Sequence, residues 1–321
     1  MSNIIISSTP YRISFAGGMS DIPEYYNKYD GYVISTTINK YIYIVVHKWD
    51  EDKFKLSYSN SEEVDSVDDI KHPIIRECLK YMCITEPMEI SSFGSVKGSS
   101  GLGSSSAFTV GLLNALYKYL KKPVNRYTLA EDACKIEIDT LGEPIGKQDQ
   151  YIASYGGFNG ITFTKDKVFM NPISINTDTL SLLNNNLMMF STGIRRKSGN
   201  ILSKIDITKS SDYIGLIKSI AYDMSTDLTN NKTKTFGKHL FNAWECKSKI
   251  SGISNTEIDD MYNKSLNNGA LGGKILGAGG GGYLLLYCEE KFQDKVRLAL
   301  CDYNELKFKF EDYGSKIIYE E

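Results

Sequence analysis

The chain contains 321 residues, of which 41% are hydrophobic and 24% charged, with 37 basic and 39 acidic side chains. This length suits one large or two medium domains, and the hydrophobic content suffices for a packed core, which excludes wholesale disorder. The net charge of −2 removes the usual electrostatic argument for binding nucleic acid or a membrane surface, so neither partner is expected.

Apolar runs are far shorter than the roughly 18 residues of a membrane span, and no secretory signal is predicted at the N-terminus. Three of the six cysteines, Cys134, Cys246 and Cys288, lie in apolar periodic segments, and no C-x-x-C pair occurs. We interpret them as buried reduced thiols, which favours a cytoplasmic protein. The three histidines lie far apart, so no zinc site is expected.

Strands dominate the first sixty residues, because the segments 4–7, 11–15, 32–38, 41–47 and 54–58 are rich in Ile, Val and Tyr. A tight hairpin turn is predicted at Asn39 and Lys40. The first helix is predicted at 72–81. Apolar residues at helical spacing then predict helices at 104–120 and 128–141. Serines at the start and lysines at the end of the former are typical of helix termini.

The second half mixes both kinds of element. Strands are predicted at 161–164, 187–190 and 283–288, and helices at about 198–206, 211–227, 236–251, 256–268 and 290–300. Because strands and helices follow no regular alternation, the predicted fold class is α+β. We expect two domains, 1–180 and 181–321.

A glycine-rich loop, GSSGLGSSSA at 98–107, precedes the helix predicted at 104–120. Such a loop offers free backbone N–H groups and the positive end of the helix dipole, both suited to phosphate. Leu102 and Gly103 stand where a Walker loop requires lysine, and the dinucleotide pattern G-x-G-x-x-G is not met. A flexible turn before a capped helix explains the segment equally well.

Two acidic residues are candidates for chemistry. Glu137 is the only charged residue on the apolar face of the helix predicted at 128–141. Its carboxylate needs a partner, which Mg²⁺ on ATP phosphates or an ordinary ion pair would supply. Asp149 is predicted in a loop, where it could orient or deprotonate an attacking hydroxyl, or simply form a turn.

The segment GALGGKILGAGGGG at 269–282 holds eight of the 27 glycines. Ordering so many glycines is costly, so close approach to a ligand or another loop explains the segment better than a flexible tether.

Arg195, Arg196 and Lys197 lie between a predicted strand and a predicted helix start. They form a candidate site for a phosphomonoester, with solvated surface charge as the alternative.

Together these segments resemble the GHMP small-molecule kinases. The three motif regions of that superfamily occur in order, as STPYRISFAGGMSD at 8–21, GLGSSS at 101–106 and the late glycine segment. Within the superfamily the chain is most similar to the D-glycero-D-manno-heptose 7-phosphate kinases, through stretches such as HPIIRE at 72–77 and IGKQDQYIASYGG at 145–157. The resemblance extends from residue 8 to 288.

The resemblance implies a two-domain fold with mixed and antiparallel sheets, packed helices and an active site in the cleft between the domains. It implies ATP and Mg²⁺ as cofactors, with Ser105 and Glu137 coordinating the metal. It also implies that one continuous segment holds the ATP phosphates, namely Lys97, Gly98, Ser99, Ser100, Gly101, Leu102, Gly103, Ser104, Ser105 and Ser106.

The resemblance further assigns Asp149 as the catalytic aspartate and Arg12 as the cation that favours ionisation of the sugar hydroxyl. The glycines at 277–281 would form a loop behind the substrate. The expected substrate contacts are Gly17, Gly18, Asp21, Gly279 and Gly280 by resemblance, and Arg195, Arg196 and Lys197 by charge and position. Two departures from the family pattern, Met19-Ser20 before Asp21 and Lys97 in place of a proline, leave the expected catalytic residues intact.

The implied reaction is ATP-dependent phosphorylation of the anomeric hydroxyl of a heptose 7-phosphate, with this small sugar phosphate as the partner. The alternatives are an anomeric kinase of an unphosphorylated sugar, similar to fucokinases, and a non-catalytic sensor of the same fold. A dinucleotide-dependent oxidoreductase is disfavoured, because the strand–GxGxxG–helix unit is missing. The sequence makes no prediction about the oligomeric state.

Overall fold

The computed structural model of the protein describes residues 4–96, 98, 100–194 and 198–321. In this part of the chain, strands form one sheet of nine and one of three. The larger sheet contains β1 (Ile5–Ala16), β2 (Gly31–Lys48), β3 (Phe54–Ser57), β4 (Ser61–Val64), β5 (Met88–Gly94), β6 (Phe158–Phe163), β7 (Val168–Pro172), β11 (Phe310–Glu311) and β12 (Lys316–Glu320). The smaller sheet contains β8 (Leu187–Ser191), β9 (Ala270–Ile275) and β10 (Tyr283–Cys288), in the order β8-β10-β9.

Eleven α-helices surround the two sheets in the described residues. They are α1 (Pro23–Tyr29), α2 (Pro73–Met82), α3 (Ser104–Tyr119), α4 (Arg126–Cys134), α5 (Gln148–Tyr155), α6 (Thr177–Asn186), α7 (Ser198–Leu202), α8 (Ser211–Thr229), α9 (Phe236–Ser248), α10 (Thr256–Asn267) and α11 (Glu290–Ala299). A search of this part of the chain finds no helix with the length and hydropathy needed to cross a bilayer.

Helix α3 packs closely against β1 and β2. Its apolar side chains at 107, 108, 110, 112, 113, 115 and 116 are buried, as the helical spacing predicted. Gly111 permits the close approach, since a Cβ there would lie 2.7 Å from Thr9 Oγ1, and Ser7 Oγ donates a hydrogen bond to the Gly111 carbonyl (2.8 Å). This contact holds the middle of α3 against β1.

A second apolar cluster lies around the smaller sheet. It joins Leu284 and Leu286 of β10 to Trp244 of α9, Met261 of α10 and Val296 of α11. The predicted α+β class, with mixed and antiparallel sheets and packed helices, is therefore confirmed.

The hairpin predicted at Asn39 and Lys40 is wrong, because β2 runs through both residues. On β1, Pro10 pairs with Tyr41 and Tyr11 with Ile38, so two residues of β2 bulge out of the ladder. Besides β1, strand β2 pairs with β6 over 31–36 and with β11 over 37–38 before the bulge, and with β5 over 42–48 after it. A bulge interrupts the alternation of side chains much as a turn does, which explains the error.

Two further elements differ from the prediction. The helix predicted at 128–141 is α4 followed by a π-helical turn over Lys135–Thr140. Asp149, predicted in a loop, lies in the first turn of α5. All six cysteines are in the described residues and carry free thiols; Cys134 and Cys288 are buried, whereas Cys246 is only partly buried.

The division between domains predicted near residue 180 falls within α6, between the last internal strand of the larger sheet and the first strand of the smaller one. The chain later returns to the larger sheet, where β11 pairs with β2 and β12 with β1. The two-domain division at 180 stays a prediction.

Candidate active site

A cavity of about 920 Å³ opens between the larger sheet, the start of α3, the start of α5 and the glycine segment that follows β9. Most of the described residues that the sequence singled out for chemistry face it. The wall includes Arg12, Gly18, Asp21, Gly98, Gly101, Gly103, Ser104, Ser105, Ser106 and Asp149. The expected cleft therefore exists, and it gathers residues from distant parts of the chain.

Arg12 and Asp149 form a two-pronged ion pair in this cavity. The Nε and Nη2 of Arg12 donate hydrogen bonds to Oδ1 and Oδ2 of Asp149, both at 2.7 Å. Arg12 Nη1 donates to the Gly101 carbonyl at 2.6 Å. The side chain of Arg12 is 4% exposed and that of Asp149 21%, so the carboxylate keeps access to the cavity while its orientation is fixed.

Glu137 lies behind Ser105 rather than in the cavity wall. Ser105 Oγ donates to Glu137 Oε1 at 2.5 Å, and Gln150 Nε2 donates to Oε2 at 2.7 Å. Glu137 sits in the π-helical turn, a local widening of the helix that often occurs at functional sites. Burial raises the pKa of Glu137, and the hydrogen bonds from Ser105 and Gln150 oppose that rise.

Asp21 closes a tight turn after β1. The backbone N–H of Met19 donates to its Oδ1 at 3.0 Å, and that of Gln148 donates to its Oδ2 at 3.2 Å. Burial, reinforced by the negative charge of Asp149, raises the pKa of Asp21 to about 6. Gly146 allows the close packing here, since a Cβ at that position would lie 2.0 Å from Asp21 Oδ2.

The two glycine-rich segments pack directly against each other. A Cβ on Gly101 would lie 2.5 Å from the Leu276 carbonyl oxygen, and a Cβ on Gly277 would lie 2.7 Å from Gly101 Cα. Both glycines have positive φ, of +80° and +70° respectively. The late glycines therefore serve the close approach of two loops, one of the two roles that the sequence favoured.

Gly277 and Ala278 line the cavity, whereas the two glycines expected to contact substrate pack elsewhere. A Cβ on Gly279 would meet Ile253, and the backbone N–H of Gly280 donates to the Ile253 carbonyl at 2.7 Å. Gly17 likewise backs onto Tyr32, so that only Gly18 of the early pair faces the cavity.

Five of the residues expected at the site lie outside the described part of the chain, and the structure does not place them. They are Lys97, Ser99, Arg195, Arg196 and Lys197.

Two buried lysines that the sequence did not single out lie near the site. Lys247 of α9 donates to the Gly277 carbonyl at 2.6 Å, and Lys274 of β9 donates to the carbonyls of Ser14 (2.8 Å) and Phe15 (3.1 Å). Lys247 falls in line with Leu240, Ala243 and Trp244 on the buried face of α9. A charge in an apolar stripe, the signal that identified Glu137, identifies Lys247 too.

The other end of the cavity is more apolar and aromatic. His72 stacks on Phe108 with ring centroids 5.0 Å apart and meets Tyr58 edge-on at 4.6 Å. Burial lowers the pKa of His72, which favours the neutral ring. Val96 and Ile42 complete a surface that could stack against a flat heterocycle.

The oxygen atoms of Ser105 and Glu137 suit a hard cation that also binds the phosphates of a ligand. Ser105 and Glu137 place two oxygens together, and Mg²⁺ prefers oxygen ligands in an octahedral shell completed by phosphates and water. Elsewhere in the described residues, no group of three or more His, Cys, Asp or Glu side chains could hold a metal ion. Ser100 Oγ, buried at the loop, has no hydrogen-bond partner among the described residues.

Comparison with known proteins gives the family. Residues 72–157 match the GHMP kinases N terminal domain, and residues 224–306 match the GHMP kinases C terminal domain. The D-glycero-alpha-D-manno-heptose 7-phosphate kinase of Campylobacter jejuni is 32% identical over 308 residues, which cover 89% of each chain.

Solved structures show the same fold. A putative sugar kinase from Campylobacter jejuni is 29% identical, with a TM-score of 0.79 and coverage of 99% of this chain and 98% of the other. A D-glycero-D-manno-heptose 1-phosphate kinase from Bacteroides thetaiotaomicron, 24% identical, matches in fold with a TM-score of 0.82 and coverage of 98% and 99%. With both domain models and a full-length relative in agreement, the chain belongs to the GHMP kinases, a family of ATP-dependent phosphotransferases, and is itself a kinase.

Proposed function

We propose that this kinase transfers the γ-phosphoryl group of ATP to the anomeric hydroxyl of D-glycero-D-manno-heptose 7-phosphate, giving the 1,7-bisphosphate. One observation carries the proposal: the Arg12–Asp149 pair and the Ser105–Glu137 pair meet at one cavity, beside the glycine-rich loop. The substrate comes from the relative in Campylobacter jejuni, which carries that name and matches 89% of the chain.

Asp149 is the group we assign to the acceptor hydroxyl. Each of its oxygens accepts one hydrogen bond from Arg12 and keeps a lone pair. A sugar hydroxyl in the cavity can donate to that lone pair, which orients its oxygen for attack and provides a place for its proton. Arg12 offsets the negative charge that develops on the oxygens during transfer.

The loop from Gly98 to Ser106 is the part we assign to the ATP phosphates. The backbone N–H groups at the start of α3 and the hydroxyl of Ser104 supply donors there. Mg²⁺, when bound with the nucleotide, supplies positive charge that neutralises phosphate oxygens. Ser105 and Glu137 would hold it, and the aromatic end of the cavity at His72 and Phe108 would hold the base.

Asp21 and Gly18 are assigned to the sugar. Asp21 has both carboxylate oxygens oriented by backbone N–H donors, so it can accept hydrogen bonds from sugar hydroxyls in a fixed direction. Arg195, Arg196 and Lys197 remain a proposal from charge and position alone, as a cluster for the substrate's existing phosphate. If Arg196 has this role, Arg196→Ala raises KM for the sugar phosphate, and an unchanged KM removes the assignment.

A panel of sugars and sugar phosphates, read by ADP release and by NMR of the product, tests the proposal. We expect ADP release with heptose 7-phosphate and a new phosphate at the anomeric carbon. Asp149→Asn is the negative control, since asparagine has nearly the same size and lacks the proposed proton acceptor, and thermal unfolding checks that the variant is folded. Turnover of unphosphorylated heptose alone would favour a fucokinase-like activity, and no sugar-dependent ADP at all would favour a sensor. We also propose a cytoplasmic location, which the free thiols of the six cysteines support.

A further inference from the structure

Lys247 is a buried cation that opens onto the cavity. It lies in the last turn of α9, its residue is 4% exposed, and it nonetheless contributes to the cavity wall. The rest of the buried face of α9 is apolar or small, with Phe236, Leu240, Ala243 and Trp244. An ammonium group at such a position loses most of its hydration, so its retention calls for a compensating interaction.

The compensation within the described chain is incomplete. An ammonium group has three N–H donors, and that of Lys247 makes one hydrogen bond in the described residues, to the Gly277 carbonyl (2.6 Å). Its neighbouring charges are Arg12 and Lys274, which repel it, and Asp21, which attracts it. Burial, with the repulsion from Arg12, lowers the pKa of Lys247 to about 8. An anion in the cavity would satisfy the free donors and favour the charged form.

Lys274 provides a contrast within the same structure. It is also buried, but its ammonium donates to two main-chain carbonyls, at Ser14 and Phe15, and it does not belong to the cavity wall. Lys274 therefore ties β9 to the end of β1, whereas Lys247 faces the space that a ligand would fill. Both lysines are buried, but only Lys247 lies in the cavity wall, where it can contact a ligand.

The position of Lys247 favours the acceptor side of the cavity. The charged side chains near it are Arg12, Lys274 and Asp21; Asp21, which alone of the three attracts it, is the residue assigned to the sugar. Its hydrogen bond goes to the Gly277 carbonyl in the late glycine segment, and it makes none to the Ser105–Glu137 pair assigned to the metal and nucleotide.

We propose that Lys247 binds the phosphate of the sugar phosphate acceptor and thereby selects phosphorylated over unphosphorylated sugars. This inference rests on the proposed function in one respect only, that the acceptor carries a phosphate. It does not depend on the cluster 195–197, and it assigns a specificity residue to a helix that supplies no other group to the reaction.

Lys247→Met is the test variant, because methionine fills similar space without charge. The exposed Lys249→Met, two residues further along, is the control for loss of one positive charge. For each protein, calorimetry measures Kd for heptose 7-phosphate, for the unphosphorylated heptose and for ADP, and steady-state kinetics measures KM and kcat. Thermal unfolding confirms that each variant is folded.

We expect Lys247→Met to weaken binding of heptose 7-phosphate by about tenfold or more, the effect of losing a charge-assisted hydrogen bond. Binding of unphosphorylated heptose and of ADP should be unchanged, as should all constants of Lys249→Met. Equal weakening for both sugars, weakening for ADP alone, or no change in any constant would overturn the inference.

The wild-type panel separates this inference from the proposed function. If the wild type turns over a different sugar phosphate, the proposed substrate is wrong and Lys247 is tested on the phosphate that is accepted, against its unphosphorylated counterpart. If it turns over heptose 7-phosphate and Lys247→Met shows no selective loss, the function stands and the inference fails. If it accepts unphosphorylated sugars alone, both fail.

Discussion

Arg12 of β1 and Asp149 of α5, 137 positions apart in the sequence, are joined by two parallel hydrogen bonds of 2.7 Å. A third bond from the same guanidinium reaches the Gly101 carbonyl at 2.6 Å. The planar fork therefore fixes the plane of the carboxylate and links it to the phosphate-binding loop. Only arginine provides this geometry, since lysine is a point donor on a flexible stem.

This geometry predicts a large effect of a conservative change. Arg12→Lys keeps the charge but cannot make all three hydrogen bonds, so Asp149 loses its fixed orientation. We expect kcat to fall on the order of 100-fold, the cost of misplacing a reacting group by about 1 Å. Affinity for ADP, measured by calorimetry, should change little. Arg126→Lys, at an exposed position, is the control, and wild-type kcat in Arg12→Lys would contradict the prediction.

The contact between the two glycine-rich segments predicts a specific loss at Gly101. Gly101→Ala places a Cβ 2.5 Å from the Leu276 carbonyl, at a φ of +80°. Gly252→Ala is a matched control, because its φ is +84° but a Cβ there meets nothing within 4 Å. Both variants bear about 1–2 kcal/mol of backbone strain.

Only Gly101→Ala must also separate the loops, so we expect it to be the less stable of the two in urea unfolding. It should also bind ADP more weakly than Gly252→Ala does. Equal stability and equal ADP affinity in the two variants would show that the loops do not need this contact.

The Ser105–Glu137–Gln150 hydrogen bonds predict how the metal dependence responds to mutation. Glu137→Gln preserves volume but removes the carboxylate that we assign to Mg²⁺. The concentration of Mg²⁺ needed for half-maximal activity should rise about tenfold or more, while Kd for metal-free ADP stays close to the wild-type value. Asp139→Asn, on the exposed side of the same turn, is the control. An unchanged Mg²⁺ requirement in Glu137→Gln would remove the metal assignment.

The buried carboxyl of Asp21 predicts how stability depends on pH. Its pKa is about 6 in the folded protein, against an ordinary value of 3.8. Between about pH 4 and 6 the folded state therefore holds a proton that the unfolded state has released, so the free energy of unfolding falls as the pH rises. Above pH 6 the cost of ionising the buried carboxyl is fully present.

Asp21→Asn has no such proton to release. The unfolding free energy of the variant minus that of the wild type should grow between about pH 4 and 6, by on the order of 2–3 kcal/mol, and then level off. Loss of one accepted hydrogen bond adds an offset that does not depend on pH. Urea unfolding of both proteins at several pH values measures the difference, and a difference constant with pH would contradict the pKa shift.

Local patterns in the sequence were enough to predict α3, the strand β10 and the burial of Glu137. In α3 apolar residues recur at helical spacing, and in β10 they fill a short continuous run. At Glu137 one charge stands within an apolar helix face. Lys247 likewise is a single charge within an apolar helix face, and the same signal identifies it. The bulge in β2 could not be predicted, because it is a shift in the register of β2 against β1, and pairing register between strands is not encoded by local residues.

The sequence by itself determined the chemical groups: a glycine-rich loop, a buried acid, an aspartate and an arginine, in an order that resembles the GHMP kinases. Only the tertiary structure decided which of them meet. Arg12 contacts Asp149, and Ser105 contacts Glu137. Gly279 and Gly280 lie outside the cavity wall, whereas Lys247 lies in it. The reason is physical: hydrogen bonds and packing act over a few ångströms, and folding alone brings groups more than a hundred positions apart within that range.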